Sequence, residues 1–302
     1  MAERLADRLY GVLDDVAADA GYDDPPVRMG FFTDTSVCIG CKACEVACKE
    51  WNLLPEDGMA LLGSSYDNTG RLGASTWRHV KFVEQSGRVA VAPGRHTPGS
   101  FDHGATPPPE DDGDGLRWLM ASDVCKHCTH AACLDVCPTG ALIRTELGTV
   151  VVQSDVCNGC GYCVPACPFG VIEIREGDGR AFKCTLCYDR TRAGLEPACA
   201  TACPTNSIQY GPLDELRHRA AERAEELRRR GAQKVQLYGE RPDDGIGGAG
   251  AFFLLLDDPE VYGLPPDPVV TTRDLPRMWA FAAGAAAAVV ASVVASFAGR
   301  RK

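Results

Sequence analysis

Apolar positions along this chain follow three rhythms. The first has steps of three and four. Leu5, Leu9, Val12, Leu13 and Val16 recur at that spacing, which predicts a helix over residues 2–20, ended by Asp23-Asp24-Pro25-Pro26. A second helix is predicted over 213–230, LDELRHRAAERAEELRRR. It has acids early, arginines in the last turn and Gly231 just beyond, as the helix dipole and a glycine cap favour. Its charge-rich side reads as a solvated face.

The second rhythm is alternation and short apolar runs. Val80, Phe82, Val89 and Val91 predict a short hairpin within residues 76–92. Runs at 149–152, 170–174 and 207–210 read as short strands, and AFFLLL at 251–256 reads as a buried one. Residues 92–115, APGRHTPGSFDHGATPPPEDDGDG, have almost no apolar content and read as an exposed insertion loop.

The third rhythm is an unbroken run. Met278 to Ala298 holds 21 residues without a charge. At 1.5 Å per residue that covers roughly 30 Å of hydrocarbon. The alternative is an Ala-rich core helix. Trp279 at one interface, with Arg300, Arg301 and Lys302 as a basic stop, favours a membrane span. Gly284, Ala287, Ala291 and Ser292 would let it pack closely against other membrane helices. Arg273 and Arg277 flank the other end. The more basic tail places the C-terminus in the cytoplasm and the body on the outer, periplasmic face.

Charge and composition narrow the chemistry. The formal net charge of −10 argues against a nucleic-acid partner. Sixteen of 302 residues are cysteine. Dense cysteine in small secreted domains means disulfides, but a chain of this length with 45% hydrophobic residues can bury a core without them. The opening, MAERLADRLYGVLDD, has no apolar signal region and no twin arginine. Metal ligation is the expectation.

The cysteines fall into four sets with none left over. Set one is Cys38, Cys41, Cys44 and Cys48. Set two is Cys125, Cys128, Cys133 and Cys137, then Pro138. Set three is Cys157, Cys160, Cys163 and Cys167, then Pro168. Set four is Cys184, Cys187, Cys199 and Cys203, then Pro204. The run C-x2-C-x2-C-x3-C-P is the bacterial ferredoxin spacing for [4Fe–4S] cubanes. Three close cysteines wrap three corners of a cube, and the fourth points away to a neighbouring cluster. Zinc takes four cysteines as two separated pairs, a pattern that only set four approaches. Since every set is complete, four cubanes and no three-iron cluster are expected.

No dinucleotide fingerprint, P-loop or Ser/His/Asp constellation accompanies them, so the chain reads as a non-catalytic electron carrier. His127 reads as a hydrogen-bond donor that tunes a cluster's potential or as a haem-proximal group or, more simply, as an ordinary loop residue or partner contact. His130 shares that ambiguity. Lys183 could raise a cluster potential by its charge, and Tyr162 and Phe169 could shield clusters from water.

Residues 30–52, GFFTDTSVCIGCKACEVACKEWN, resemble the opening of the iron–sulfur β subunit of respiratory membrane-bound formate dehydrogenase. That family belongs to the four-cluster ferredoxin-like subunits of molybdopterin oxidoreductases. CNGCGYCVPACPFGV at 157–171, FKCTLCYDRTRAGLEPACATACPTNSI at 182–208, the 247–268 region with DPEVYGLPPDP, and the single terminal span resemble it too. The resemblance implies an α+β fold of two ferredoxin-like dicluster halves related by pseudo-twofold symmetry, plus one C-terminal transmembrane helix. Residues 1–27 would form an N-terminal extension and 28–211 the four-cluster domain, with 92–115 as an insertion. Residues 212–276 would lead to the membrane, and 277–302 would be the span and its tail.

The resemblance also implies crossed ligand sets. One cluster would take Cys38, Cys41, Cys44 and Cys203, and another Cys184, Cys187, Cys199 and Cys48. A third would take Cys125, Cys128, Cys133 and Cys167, and the last Cys157, Cys160, Cys163 and Cys137. The implied partners are a molybdopterin catalytic α subunit that oxidises formate and a membrane cytochrome b γ subunit that reduces quinone. The α subunit would supply the twin-arginine export signal. The same relay could serve a hydrogenase or a sulfur-compound or dimethyl sulfoxide reductase. A structural zinc protein and a soluble ferredoxin-type enzyme are the remaining readings.

Overall fold

Strand β1 (Met29–Asp34, MGFFTD) organises the fold because both of its faces are buried. Phe31 and Phe32 point to opposite sides of the sheet, and neither is exposed. The computed structural model describes residues 20–57, 66–67, 69–86, 116–272 and 275–298. The predicted helix over 2–20 and the insertion at 92–115 therefore lie outside the described residues, apart from Ala20.

β1 lies between two partners. β8 (Ile208–Pro212) runs antiparallel along one edge, and β10 (Ala251–Leu255) runs parallel along the other. β9 (Gln236–Tyr238) closes the sheet beyond β10. Every residue of β10 is buried, as the apolar run predicts for a strand covered on both sides. Residues 212–276 thus supply two of this sheet's four strands.

On one face lies α6 (Leu213–Arg229), which buries Leu213, Leu216, Ala220 and Ala224. Phe32 and Phe252 stack beneath it, 5.3 Å between ring centres. Gly231, at φ +90°, closes the helix, and the next amide, Ala232 N, donates to Leu227 O at 3.0 Å. The expected solvated face is interrupted at Arg223. Arg223 turns inward to Asp34 (Nε to Oδ2, 3.0 Å) and to Ser36 Oγ (3.0 Å). On the other face, Phe31 packs into a core that includes Cys44, Cys125, Cys184 and Cys199.

The predicted hairpin is only half right. β2 (Arg78–Ser86) pairs with β3 (Leu116–Val124) in an unbroken antiparallel register, from Arg78 opposite Val124 to Ser86 opposite Leu116. Alternation marks a strand but does not name its partner, and here the partner lies beyond residues 87–115. Val89 and Val91 fall outside the described residues. Two short hairpins complete the strands. β4 (Leu142–Arg144) pairs with β5 (Val150–Val152), and β6 (Glu173–Ile174) pairs with β7 (Ala181–Phe182). The run at 170–174 contributes only its last two residues to a strand.

α7 (Leu275–Ala298) is the one helix among the described residues long and apolar enough to cross a membrane. None of Arg277–Phe297 is covered by the rest of the protein. It fits a single-pass membrane anchor.

Candidate functional site

Each cysteine set begins with the same backbone turn. The residue before the second cysteine is left-handed every time: Gly40 (φ +65°), His127 (+45°), Gly159 (+73°) and Leu186 (+59°). The turn folds the two thiols of a C-x-x-C toward one side. Glycine adopts it freely, whereas a buried leucine does so at a cost. Gly159 also has no room for a side chain, since a Cβ there would stand 2.1 Å from Gly179 O.

Short helices carry the later cysteines. Cys44 and Cys48 lie on α1 (Ala43–Trp51), and Cys133 lies on α2 (Ala132–Asp135) with Cys137 just beyond. Cys163 opens α3 (Cys163–Ala166), and Cys167 ends it. α4 (Tyr188–Thr191) follows Cys187, and Cys199 lies on α5 (Ala198–Thr201) with Cys203 just beyond. α1 packs against α5, and α2 packs against α3. The helix of set one therefore meets that of set four, and the helix of set two meets that of set three.

The thiols gather accordingly. Burial pushes Cys48 up, and the charges of Cys184, Cys199 and Cys187 push it the same way. Burial raises Cys38, with Cys203 and Cys41 adding to it. Burial raises Cys128 strongly, and Cys125, Cys133 and Cys167 press on it. Cys163 rises to about 11 through burial first, then through Cys157, Cys160 and Cys137. Each neighbourhood joins cysteines from two sets.

The groups also lie near one another in succession. Cys44 neighbours Cys199, Cys184 neighbours Cys125, and Cys133 neighbours Cys163. The resulting row runs from the Cys38 group through the Cys48 group and the Cys128 group to the Cys163 group. Two of the sixteen cysteines are exposed, Cys41 and Cys160, one in each end group.

These surroundings fit iron–sulfur cubanes. Cys44 is raised to about 11 and Cys133 to about 12, in both cases chiefly by burial. Such thiols stay protonated at neutral pH unless metal supplies positive charge, which is what iron ligation does. Among the described residues, no three His, Cys, Asp or Glu converge as ligands of a single ion. Thiolates at the corners of a cube stand farther apart than ligands of one zinc. Cys125, Cys128, Cys133 and Cys167 line one cavity, together with Lys183 and Phe169. Buried Arg78 Nε and His127 Nε2 have no protein partner among the described residues.

Polar groups reach several sulfurs. Ser122 Oγ lies 3.2 Å from Cys44 Sγ, Leu186 N donates to Cys184 Sγ at 3.3 Å, and Ala181 N donates to Cys157 Sγ at 3.4 Å. Arg78 Nη2 donates to Cys199 Sγ at 3.3 Å. Sequence reasoning misses Arg78. Its parity with Val80 and Phe82 on β2 is the available signal that it faces inward. Lys183 is 2% exposed. Lys126 is also buried, bonded to Asp123, with its amino group 5.2 Å from the Phe169 ring centre.

The histidines and aromatic residues singled out in the sequence divide. His127 is a fully buried residue in a left-handed turn, and its Nδ1 accepts from Val150 N at 3.2 Å. Burial first, then Lys183, lowers its pKa well below the ordinary histidine value. His130 N donates to Ile246 O at 2.8 Å, and its ring packs over Gly247. Phe169 is half-buried and lines the cavity of Cys125, Cys128, Cys133 and Cys167. Tyr162, next to left-handed Gly161, is 61% exposed.

Residues 37–141 and 116–213 each match a family described as 4Fe-4S dicluster domain. The body is thus built from two ferredoxin-like dicluster domains that bind 4Fe–4S clusters. The chain is 38% identical to the "Formate dehydrogenase iron-sulfur subunit" of Haemophilus influenzae, across 82% of this chain and 72% of that one. It is 38% identical to the "Formate dehydrogenase, nitrate-inducible, iron-sulfur subunit" of Escherichia coli (strain K12), across 88% and 81%. The B subunit of the anaerobic dimethyl sulfoxide reductase of the same organism is 36% identical, across 63% and 76%.

Proposed function

The chain belongs to the family of formate dehydrogenase iron–sulfur subunits, and on that premise we propose that it relays electrons from a formate-oxidising molybdopterin subunit to a membrane cytochrome b and quinone. A cubane held by four thiolates supplies a one-electron carrier. Four sites would be held by the crossed sets: Cys38, Cys41, Cys44 and Cys203; Cys48, Cys184, Cys187 and Cys199; Cys125, Cys128, Cys133 and Cys167; and Cys137, Cys157, Cys160 and Cys163.

The observation that carries this reading is the row of four thiol groups with an exposed cysteine at each end. A carrier needs an entrance and an exit at its surface and buried steps between. The residues around the middle groups exclude water and fix the sulfurs.

One contact supports a direction for the row. Thr272, just before α7, donates through Oγ1 to Asp135 Oδ2 at 2.6 Å. Asp135 lies between Cys133 and Cys137. This supports the Cys163 group as the membrane-side exit and the Cys38 group as the side that meets the catalytic subunit. The body would lie on the periplasmic face, with the basic tail inside.

Service to a dimethyl sulfoxide reductase instead is the second reading. The shorter match to that relative, 63% of this chain against 82% and 88% for the formate dehydrogenase subunits, ranks it behind. Electron paramagnetic resonance on anaerobic membranes carrying the tagged complex separates the two. Reduced [4Fe–4S] signals that rise on adding formate support the formate reading. Signals that answer only to dithionite transfer the relay to another donor.

A further inference from the structure

Two cations are buried along the row of thiol groups with no carboxylate among the described residues paired to them. Arg78 is 1% exposed. Its Nη1 donates to Ser122 O at 3.1 Å, and its Nη2 donates to Cys199 Sγ at 3.3 Å. Its guanidinium carbon sits 4.8 Å from the Phe31 ring centre, and its Nε has no protein partner among the described residues. The charges that act on it are Cys199, Cys44 and Cys184, so it stands where the first group of the row meets the second. Lys183 is 2% exposed and donates to two backbone carbonyls, Val150 O and Cys184 O. Cys125, Cys133, Cys184 and Cys167 surround it, so it stands where the second group meets the third.

Another buried cation nearby is compensated. Lys126 pairs with Asp123, which also receives Lys81. The contrast matters, because a buried charge without a counter-ion is strongly disfavoured. Arg78 and Lys183 are tolerable only beside something else that is negative. Thiolates on a cubane are negative, and each electron the cubane accepts adds one more negative charge.

We propose that Arg78 and Lys183 are positioning residues that flank the Cys48–Cys184–Cys187–Cys199 site and hold the reduction potential of its cluster up. This rests on the ligand sets proposed above. An electron arriving from a neighbouring cluster or an added reductant is stabilised by both cations at once, because the site lies between them in a water-excluded core. Net charge and hydrogen bonds to sulfur are the protein's levers on such a potential. Arg78 applies both, and Lys183 applies the first. Arg180, half-buried near Cys157, is likewise compensated, by Asp178.

The test is a redox titration of the anaerobically purified full complex, followed by electron paramagnetic resonance, with Arg78→Gln, Lys183→Met and the charge-keeping Arg78→Lys and Lys183→Arg. The proposal expects one cubane step to move to lower potential in both neutral variants. The expected size is at least a tenfold change in the oxidised-to-reduced ratio at fixed ambient potential, about 59 mV for a one-electron couple. The charge-keeping variants should move much less. Unchanged midpoints in both neutral variants overturn it. So does loss of cluster signal in both neutral variants with retention in the charge-keeping ones, because the charges would then serve assembly. Absence of any cubane signal from the unsubstituted complex refutes the ligand sets themselves, and this proposal with them.

Discussion

The Asn52 side-chain amide reaches Cys187 Sγ at 3.9 Å, across 135 positions of chain, while also lying 3.7 Å from Cys48 Sγ. One residue just past α1 thus touches a sulfur of set one and a sulfur of set four. Its Nδ2 also donates to Cys48 O at 2.8 Å, which fixes the amide. Asn52→Leu removes a weak donor from two ligands of one proposed cluster. Net hydrogen-bond energies of about 0.5–1.5 kcal/mol translate into a drop of a few tens of millivolts in that cluster's potential. A redox titration reads the shift, and a rise in potential would contradict the assignment.

The crossing of sets has a sharper consequence. Cys48→Ala and Cys199→Ala should abolish the same cluster signal. Cys48→Ala and Cys44→Ala should abolish different ones, although Cys44 and Cys48 share a helix. Each single variant should lose about four iron atoms per chain if one cubane fails to form. Iron analysis paired with low-temperature spectra makes the comparison. The same lost signal from Cys44→Ala and Cys48→Ala would restore one cluster per set.

Gly159→Ala should disable the exit group. Its φ of +73° strains any side chain, and the new Cβ would press on a backbone oxygen, Gly179 O. The strain alone is worth about 1–3 kcal/mol. The variant should lose the Cys163-group cluster and thermal stability together, while the other cubane signals persist.

Removing the clusters should unfold the body. Without negative sites beside them, Arg78 and Lys183 become buried, uncompensated charges, each costing several kcal/mol. Chelation under mild oxidation, followed by circular dichroism, should show loss of the sheet in step with loss of iron absorbance. A fully folded apo-chain would argue that those cations are satisfied otherwise.

Arg223→Ala tests the α6 contact. It leaves Asp34, 3% exposed, without its ion-pair partner beneath the helix. A loss of about 1–3 kcal/mol is expected from unfolding curves, with the cluster spectra unchanged.

Local chemistry is legible in the sequence, and long-range pairing is not. Cysteine spacing identifies all four loops because ligand geometry is short-range. Periodicity finds α6, β10 and the terminal helix because each carries its own pattern. β1 escapes it. MGFFTD ends in Thr33 and Asp34, both buried: Thr33 Oγ1 has no hydrogen-bond partner among the described residues, and Asp34 takes its ion pair from Arg223, far along the chain. The partner of β2 is hidden because pairing across residues 87–115 leaves no local mark. Arg78 does not stand out because arginine is ordinarily a surface residue. Its burial makes sense only once the thiol groups of sets one and four are in place around it.

The most direct test of four crossed cubane sites is a count of iron and acid-labile sulfide in the anaerobically purified subunit within its complex. Chemical analysis gives the two counts and Mössbauer spectroscopy the cluster type, with the contribution of the partner subunits subtracted. Four cubanes require about sixteen of each per subunit, about four per cubane, all in cubane form. Bound zinc, or a three-iron signature in place of one cubane, would contradict it.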